Sequence, residues 1–189
     1  SKRLAEALIE RACQGGIPVI TLRPRAIFGP GDTSILPRLL ERLAAGRMVV
    51  IGDGQIVCDL TYIDNAVEAL VLAAYSPPQT LGRVYHITNG EPVRLWEMIR
   101  RLCNALGYAY PHRTIPYTAA DALAAALEAV YDVLPGHPEP PLTRYAVSVL
   151  AHSATLDISA ARRDLSYSPR VSMEEGFERL VRWWKDAHR

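Results

Sequence analysis

Helical and extended segments alternate along this chain, and that alternation limits the folds that it can adopt. Apolar residues such as Leu4 and Leu8 repeat at helical spacing until a glycine pair at 15–16 interrupts them. The β-branched run 17–22 follows at once and ends at the Arg-Pro pair 23–24. Such a run is typical of a buried strand in a parallel sheet. The order of segments therefore predicts an α/β fold.

The remaining predicted elements continue this order. Helices are predicted over residues 34–45, 64–75, 94–106, 118–134, 143–150, 159–164 and 173–187, and extended segments over 48–51, 56–62, 84–87 and 115–116. Asp64 is expected to cap its helix. The Gly-Asp-Gly turn at 52–54 lacks the third glycine of a phosphate-binding loop, so we interpret it as a hairpin turn. A complete Rossmann-type sheet would also contribute a Gly-rich phosphate loop and further long apolar strands, which this sequence does not contain.

The composition excludes several classes of function. The net charge is +1 and no basic tract occurs, which argues against a nucleic-acid partner. The three cysteines are too far apart for a disulfide framework or a zinc site, and no histidine spacing predicts a metal ligand. No apolar run reaches the ~18 residues of a transmembrane helix. We expect a cytoplasmic protein without a metal or a transmembrane segment.

The order of the short motifs is more specific than any one of them. In chain order they are SK-x-x-AE, TLRPRAIFGPGD, DLTYIDNAVEALVLA, VYHITNGEPVRLWE, PPLTR and LDISAARRDLSYSPRVSMEEG. This order resembles the C-terminal half of extended short-chain dehydrogenases/reductases, closest to the 3β-hydroxysteroid dehydrogenase-like branch. The resemblance implies the C-terminal part of a Rossmann-type fold with a small mixed α+β substrate-binding region. Residues 1–32 would form the last helix-strand unit of an incomplete Rossmann domain, and 33–189 mainly the substrate-binding region, with some segments returning to the sheet.

The resemblance assigns a catalytic role to Lys2. Such enzymes carry a Tyr and a Lys four residues apart on one helix, and Lys2 matches the Lys. The Tyr hydroxyl exchanges a proton with the substrate oxygen, while the ammonium holds the nicotinamide ribose and lowers the Tyr pKa. The Tyr would stand four residues before Lys2, upstream of the sequence given, so we expect a fragment that is inactive alone. The cofactor would be NAD or NADP.

The loop after the first strand is the second candidate site. By resemblance, the backbone of Pro24, Arg25, Ala26 and Ile27 would border the nicotinamide, and Ser34 would lie near the cofactor phosphates. Its place at the carboxyl end of a parallel strand agrees with this role. An ordinary exit from the strand is the alternative.

At two places the sequence departs from the sugar-nucleotide enzymes of this superfamily, and both bear on the identity of the substrate. Cys58 occupies the place where sugar-nucleotide epimerases and dehydratases of the superfamily commonly carry an Arg for the diphosphate, and a thiol cannot replace that contact. Asp59 is expected to be structural. Segment 118–134 carries an apolar stripe. Because this region roofs the substrate pocket in the 3β-hydroxysteroid dehydrogenase-like branch, the resemblance implies a lid over an apolar substrate, with core packing as the alternative. The stripe comprises Ala122, Leu123, Ala126, Leu127, Val130 and Leu134, and Tyr110, Tyr117, Tyr131 and Tyr145 are candidate pocket residues.

Together these observations predict the substrate-binding half of an NAD(P)-dependent oxidoreductase. It would interconvert a hydroxyl and a ketone on a sterol-like or long-chain 3-oxo substrate, and the intact protein is expected to form a homodimer. A sugar-nucleotide epimerase or dehydratase and a non-catalytic binding module are the alternatives.

Overall fold

The computed structural model describes the backbone of residues 2–188 and the side chains of residues 4–188. The helices are α1 Lys2–Gln14, α2 Ile35–Ala44, α3 Ile63–Ala74, α4 Leu95–Leu106, α5 Tyr117–Asp132, α6 Arg144–Ala151, α7 Ser159–Leu165 and α8 Met173–Ala187. The strands are β1 Thr21–Pro24, β2 Ile27–Phe28, β3 Val50–Ile51, β4 Val57–Cys58, β5 Thr61–Tyr62, β6 Val84–Ile87, β7 Val93–Arg94 and β8 Thr114–Ile115. The predicted elements occur in the predicted order, the structure adds the unpredicted strands β2 and β7, and the α/β class is confirmed.

The strands form short, mostly parallel pairs. β1 runs parallel to β6, with Thr21 opposite Val84 and Pro24 opposite Ile87. β2 and β5 are also parallel, as are β3 and β8, whereas β4 and β7 are antiparallel. Parallel strands require long crossovers, and α2 and α3 lie within the segments that connect these pairs.

Two predicted strands have different bounds in the structure. The strand predicted over 17–22 begins only at Thr21, because its partner starts there and the Thr21 N–H donates to the Arg83 carbonyl at 3.0 Å. Ile17 is 56% exposed, outside the paired segment. The extended piece predicted over 56–62 is two strands, β4 and β5, with different partners.

Two local predictions are wrong. The turn at 52–54 does not close a hairpin, because β3 pairs with β8 and β4 pairs with β7. Asp64 does not cap α3. The N-cap position is Tyr62, and Asp64 lies in the first helical turn, where its Oδ2 accepts a hydrogen bond from Arg179 Nη1 at 3.1 Å.

The chain forms two compact units. Unit 1 contains Ser1–Pro30, Asp59–Glu91 and Leu156–Leu180, and unit 2 contains Gly31–Cys58, Pro92–Thr155 and Val181–Arg189. A core cluster of unit 1 comprises Ala69, Tyr85, Ile87, Ile158, Ala161, Leu165 and Tyr167. A core cluster of unit 2 comprises Ile51, Ala120, Ala124 and Val147. The predicted division at residue 32 stays a prediction.

Helix α5 does not bury the apolar stripe that its sequence carries. Ala120 and Ala124 are its buried residues, whereas Leu123 is 53% and Val130 55% exposed. The side of α5 that carries Asp121 lies against α6, where the Asp121 carboxylate accepts hydrogen bonds from Arg144 Nε at 2.9 Å and Arg144 Nη2 at 3.0 Å. Small residues let the helices approach, and the larger apolar stripe is left on the outside of the unit.

Candidate functional site

The loop after β1 makes a sharp, well-supported turn. The Arg25 N–H donates to the Ile87 carbonyl at 3.1 Å, which extends the pairing of β1 with β6 by one residue. Ala26 then adopts a φ of 42°, an uncommon left-handed conformation for a residue other than glycine. The chain continues directly into β2 at Ile27. This turn lies at the carboxyl end of a parallel strand pair, where ligands of open α/β sheets bind.

Thr61 holds the backbone of this loop in place through hydrogen bonds, a role that the sequence analysis did not predict. The side chain is fully buried, and its Oγ1 lies 2.6 Å from the Arg25 carbonyl and 3.1 Å from the Ile87 carbonyl. The Thr61 N–H also donates to the Ala26 carbonyl at 3.3 Å. The loop backbone is therefore held on one side by β5.

The other side of the loop presents an apolar surface. Pro24, Ala26 and Ile27 are exposed, while Arg25 is only partly so. Proline fixes φ, and the bonds from Thr61 fix the following carbonyls. A rigid backbone with an exposed apolar face can hold a flat aromatic ring, and the nicotinamide role of this loop stays a prediction. The structure thus brings the four predicted residues of this loop together in unit 1.

A bidentate ion pair attaches α1 to β1. Arg23 Nε and Nη2 donate to the two carboxylate oxygens of Glu6 at 2.8 and 2.7 Å. These hydrogen bonds lower the pKa of Glu6 and raise that of Arg23. The fork-to-carboxylate geometry specifies orientation as well as contact. Lys2 begins this same helix, but its side chain lies outside the described residues, so its role stays a prediction.

A buried amide network joins three of the sequence motifs. Asn89 Oδ1 accepts from the Tyr62 N–H and from Asn65 Nδ2, each at 2.9 Å. Both asparagines donate to the Val171 carbonyl, at 2.8 and 2.9 Å. Asn65 Oδ1 in turn accepts the N–H groups of Arg170 and Val171. These bonds explain why the segments YIDN, HITN and SPRV belong together in one fold.

Ser34 lies in unit 2, at the start of α2. Its N–H and Oγ both bond to Asp32 Oδ1, at 2.8 and 3.3 Å. The same carboxylate accepts the N–H groups of Ile35 and Leu36, so Asp32 satisfies the helix N-terminus. Sequence reasoning did not assign this role to Asp32. A phosphate at Ser34 would meet that negative charge, and the phosphate role of Ser34 stays a prediction.

Cys58 and Asp59 behave as structural residues. Cys58 is buried within β4. Asp59 is 1% exposed, and its Oδ2 accepts the Leu156 N–H at 2.7 Å, as expected for a side chain that satisfies backbone donors. Asp59 Oδ1 has no hydrogen-bond partner among the described residues.

Unit 2 also contains an open cleft of about 390 Å³. Its lining includes Asp53, Gln55, Arg100, Tyr110 and His112, and it is therefore largely polar. Arg100 stacks on Tyr110 with 4.8 Å between its guanidinium carbon and the ring centroid. Tyr110 is thus the only predicted pocket tyrosine on this cleft, and the lining does not suit an apolar substrate.

Comparison with known proteins places the chain in a family. A model of the 3-beta hydroxysteroid dehydrogenase/isomerase family matches residues 1–117, more than half of the 189 residues. The chain belongs to this family. Relatives include a 2-alkyl-3-oxoalkanoate reductase of Stenotrophomonas maltophilia (strain K279a), 39% identical over 95% of this chain and 56% of the relative. A 3beta-hydroxysteroid-dehydrogenase/decarboxylase isoform of Arabidopsis thaliana is 36% identical over 96% of the chain and 44% of the relative.

Solved structures agree on the fold of this family member. The UDP-glucuronic acid 4-epimerase of Bacillus cereus, in complex with NAD, aligns with a TM-score of 0.62 at 22% identity. The alignment covers 95% of this chain and 50% of the epimerase. The Rossmann-type, extended short-chain dehydrogenase/reductase fold is thereby confirmed. The chain spans about half the length of the curated relatives it matches.

None of the helices between residues 2 and 188 has the length and apolar character that crossing a bilayer requires. Nor do the described His, Cys, Asp and Glu side chains form a group of three or more that could hold a metal ion.

Proposed function

We propose that the intact protein is an NAD(P)-dependent oxidoreductase that interconverts a hydroxyl and a ketone. The observation that carries this proposal is the loop 24–27, a strained and fixed turn at the carboxyl end of β1 in a member of this family. Strained backbone of this kind concentrates at functional sites.

Each predicted site residue has a part in the proposal. The nicotinamide, when bound, exchanges a hydride with the carbinol carbon. The Lys2 ammonium orients the ribose and lowers the pKa of the Tyr that the family carries four residues before it. The backbone of Pro24, Arg25, Ala26 and Ile27 borders the ring, and Ser34 is assigned to the phosphates. Proton exchange with the substrate oxygen is assigned to that Tyr.

The substrate in this proposal is apolar, of the sterol-like or long-chain 3-oxo class. The names of the relatives, an oxoalkanoate reductase and a hydroxysteroid dehydrogenase/decarboxylase, support this class. Burial of Cys58, in place of an arginine, argues against a sugar diphosphate. A cytoplasmic location and a homodimer belong to the same proposal, and the exposed Leu4 and Leu8 of α1 support a partner helix.

The test is a substrate panel on the full-length protein. Steroids with a 3β-hydroxyl and 2-alkyl-3-hydroxy acids are incubated with NAD⁺ or NADP⁺, and UDP- and dTDP-sugars are followed for epimerisation and dehydration. Reduction of the nicotinamide with the first group alone is the expected result. Turnover of the sugars alone would overturn the proposed substrate class. Turnover of neither group would overturn the proposal that the intact protein is an enzyme of this kind.

A further inference from the structure

Thr61 restrains the backbone of the loop 24–27 at the point where it turns. Its Oγ1 lies 2.6 Å from the Arg25 carbonyl oxygen, and its N–H donates to the Ala26 carbonyl at 3.3 Å. The Ile87 carbonyl is farther from Oγ1, at 3.1 Å, so the single hydroxyl proton is directed chiefly to Arg25. The two restrained carbonyls belong to the peptide groups on either side of the Ala26 Cα. Thr61 therefore controls both φ and ψ of Ala26.

Ala26 needs this restraint because its conformation is unfavourable by itself. Its φ of 42° lies in the left-handed region, where the Cβ of an alanine crowds the backbone. Conformations of this kind persist only where the surrounding structure holds them. The Arg25 N–H is already fixed by the Ile87 carbonyl at 3.1 Å. The peptide between Arg25 and Ala26 is thus the part that would rotate if the Thr61 hydroxyl were lost.

The direction of these peptides connects Thr61 with the exposed side of the loop. No described peptide bond is cis, so the C=O and N–H of each peptide point in opposite directions. Because the carbonyls on either side of Ala26 point to Thr61, the N–H groups of the same peptides, those of Ala26 and Ile27, point away from it. The exposed side chains of the loop are those of Pro24, Ala26 and Ile27. Under the proposed function, this loop borders the cofactor ring.

Resting on the proposed function, we infer that Thr61 is a positioning residue for the nicotinamide cofactor. The side chain is fully buried and acts only through the backbone that it holds. Its hydroxyl sets the orientation of the peptide between Arg25 and Ala26, and with it the surface that the loop presents. Rates are sensitive to such placement, because a displacement of about 1 Å caused by a remote substitution can cost roughly 100-fold.

A purely structural role of the hydroxyl is the competing explanation, since buried hydroxyls that satisfy carbonyls stabilise a fold wherever they occur. Thr80 provides the comparison within the same unit. It is 2% exposed, and its Oγ1 lies 2.7 Å from the Pro77 carbonyl and 2.8 Å from Ser76 Oγ. Neither partner belongs to the loop 24–27. Thr80→Val therefore removes a comparable buried hydroxyl and leaves the contacts of the loop in place.

The experiment measures how the full-length protein binds two ligands. Isothermal titration gives the Kd for NAD(P)H and the Kd for ADP-ribose or its 2′-phosphate, which keep the adenosine and the diphosphate but lack the nicotinamide. Thr61→Val removes the hydroxyl at nearly constant volume, Thr61→Ser keeps the hydroxyl, and Thr80→Val is the matched control. Melting temperatures are measured alongside, as is kcat for a 2-alkyl-3-hydroxyalkanoic acid with NAD(P)⁺.

The expected result is a loss of affinity confined to the ligand that carries the ring. Thr61→Val raises the Kd for NAD(P)H by roughly 10-fold, as loss of one buried hydrogen bond does, and that for ADP-ribose by less than about 2-fold. The kcat falls by roughly 10- to 100-fold. Thr61→Ser recovers most of both losses, although the missing methyl group lowers its melting temperature. Thr80→Val lowers the melting temperature and changes neither Kd nor kcat.

Three outcomes would overturn this inference and leave the proposed function intact. The first is a Thr61→Val protein with the parent Kd for NAD(P)H. The second is an equal loss of affinity for both ligands, and the third is a Thr80→Val protein with the same losses as Thr61→Val. Each would assign the Thr61 hydroxyl a structural role.

Two further results complete the test. If Thr61→Val does not fold, Thr61→Cys replaces it, and its weaker thiol donor should give an intermediate loss of affinity for NAD(P)H alone. An unchanged Kd in Thr61→Cys would then overturn the inference. A parent protein that binds neither NAD(P)H nor ADP-ribose would instead overturn the proposed function, and this inference with it.

Discussion

At the scale of single residues, buried polar side chains decide how the loops meet. Asn65 and Asn89 are 1% and 2% exposed, and each bonds in unit 1 to backbone that is distant in sequence. Asn65 makes all four hydrogen bonds that a carboxamide can form. Such a side chain cannot be replaced without leaving buried backbone groups unpaired.

We therefore expect Asn65→Ala to destabilise the protein by roughly 2–4 kcal/mol, since several buried donors and acceptors lose their partner. Urea denaturation measures the change. The control is Asn104→Ala, on an exposed position of α4, which should stay within about 0.5 kcal/mol of the parent. Equal effects of the two substitutions would contradict the importance of the network.

The buried phenol of Tyr167 should make the protein less stable at alkaline pH. Burial raises the pKa of Tyr167 to about 12, and its hydroxyl donates to the Thr88 carbonyl at 3.0 Å. In the unfolded chain the phenol ionises near pH ~10. Between these values the folded state holds the proton and the unfolded state releases it, so stability falls as the pH rises, by up to about 1.4 kcal/mol per pH unit.

Tyr167→Phe should remove this part of the pH dependence while leaving the neutral-pH stability lower by the lost hydrogen bond. Denaturation curves between neutral pH and strongly alkaline pH measure both effects. Tyr75→Phe, at an 88% exposed position, is the control and should keep the parent slope. An unchanged slope in Tyr167→Phe would show that the phenol is not protected.

At the scale of elements, a glycine is required where a helix packs so closely against its neighbour that no room is left for a Cβ. Gly176 lies in α8, where a Cβ would stand 2.7 Å from Tyr62 Cδ2 and 3.2 Å from Phe28 Cζ. Tyr62 is almost fully buried and packs edge-on against Phe28, so neither ring can move away freely. The glycine in SMEEG thus permits α8 to pack on β5.

Gly176→Ala should destabilise the protein by roughly 1–3 kcal/mol through overpacking. The direction of the stability change tests the packing, because the same Gly→Ala change inside an exposed helix stabilises the helix by about 1 kcal/mol. Thermal or urea unfolding measures the effect, and Glu178→Ala on the exposed side of α8 serves as the control. A gain in stability for Gly176→Ala would contradict the described packing.

The orientation of α5 can be tested in the same way. Leu123→Gln, at a 53% exposed position, should change the stability by less than about 0.5 kcal/mol. Ala124→Leu should destabilise by roughly 1–3 kcal/mol, because Ala124 is fully buried. A large loss of stability for Leu123→Gln and a small one for Ala124→Leu would contradict the described orientation of α5, because it would indicate that the apolar stripe is the buried face.

At the scale of the whole molecule, the chain covers only about half of its relatives. If most of the cofactor's contacts lie in the part of the relatives that this chain does not span, the full-length protein should gain stability with NAD⁺ or NADP⁺. The gain is about 2.7 kcal/mol at a ligand concentration 100-fold above Kd. A thermal-shift titration measures it, and the 189-residue chain is the control. An equal shift in the chain alone would contradict the division of the site.

The sequence by itself determined the alternation of elements, the family and the loop 24–27, because these depend on local periodicity and on motif order. Only the tertiary structure decided what satisfies each buried group. The contacts of Asn65 lie 24 and 106 residues away in the chain, and no local pattern encodes such a distance. The same holds for β4 and β5, whose separate partners split one apparent strand. Nor does a helical wheel show that small alanines, rather than larger apolar residues, bury a helix against its neighbour. Contacts between residues distant in sequence depend on packing, and packing exists only once the chain has folded.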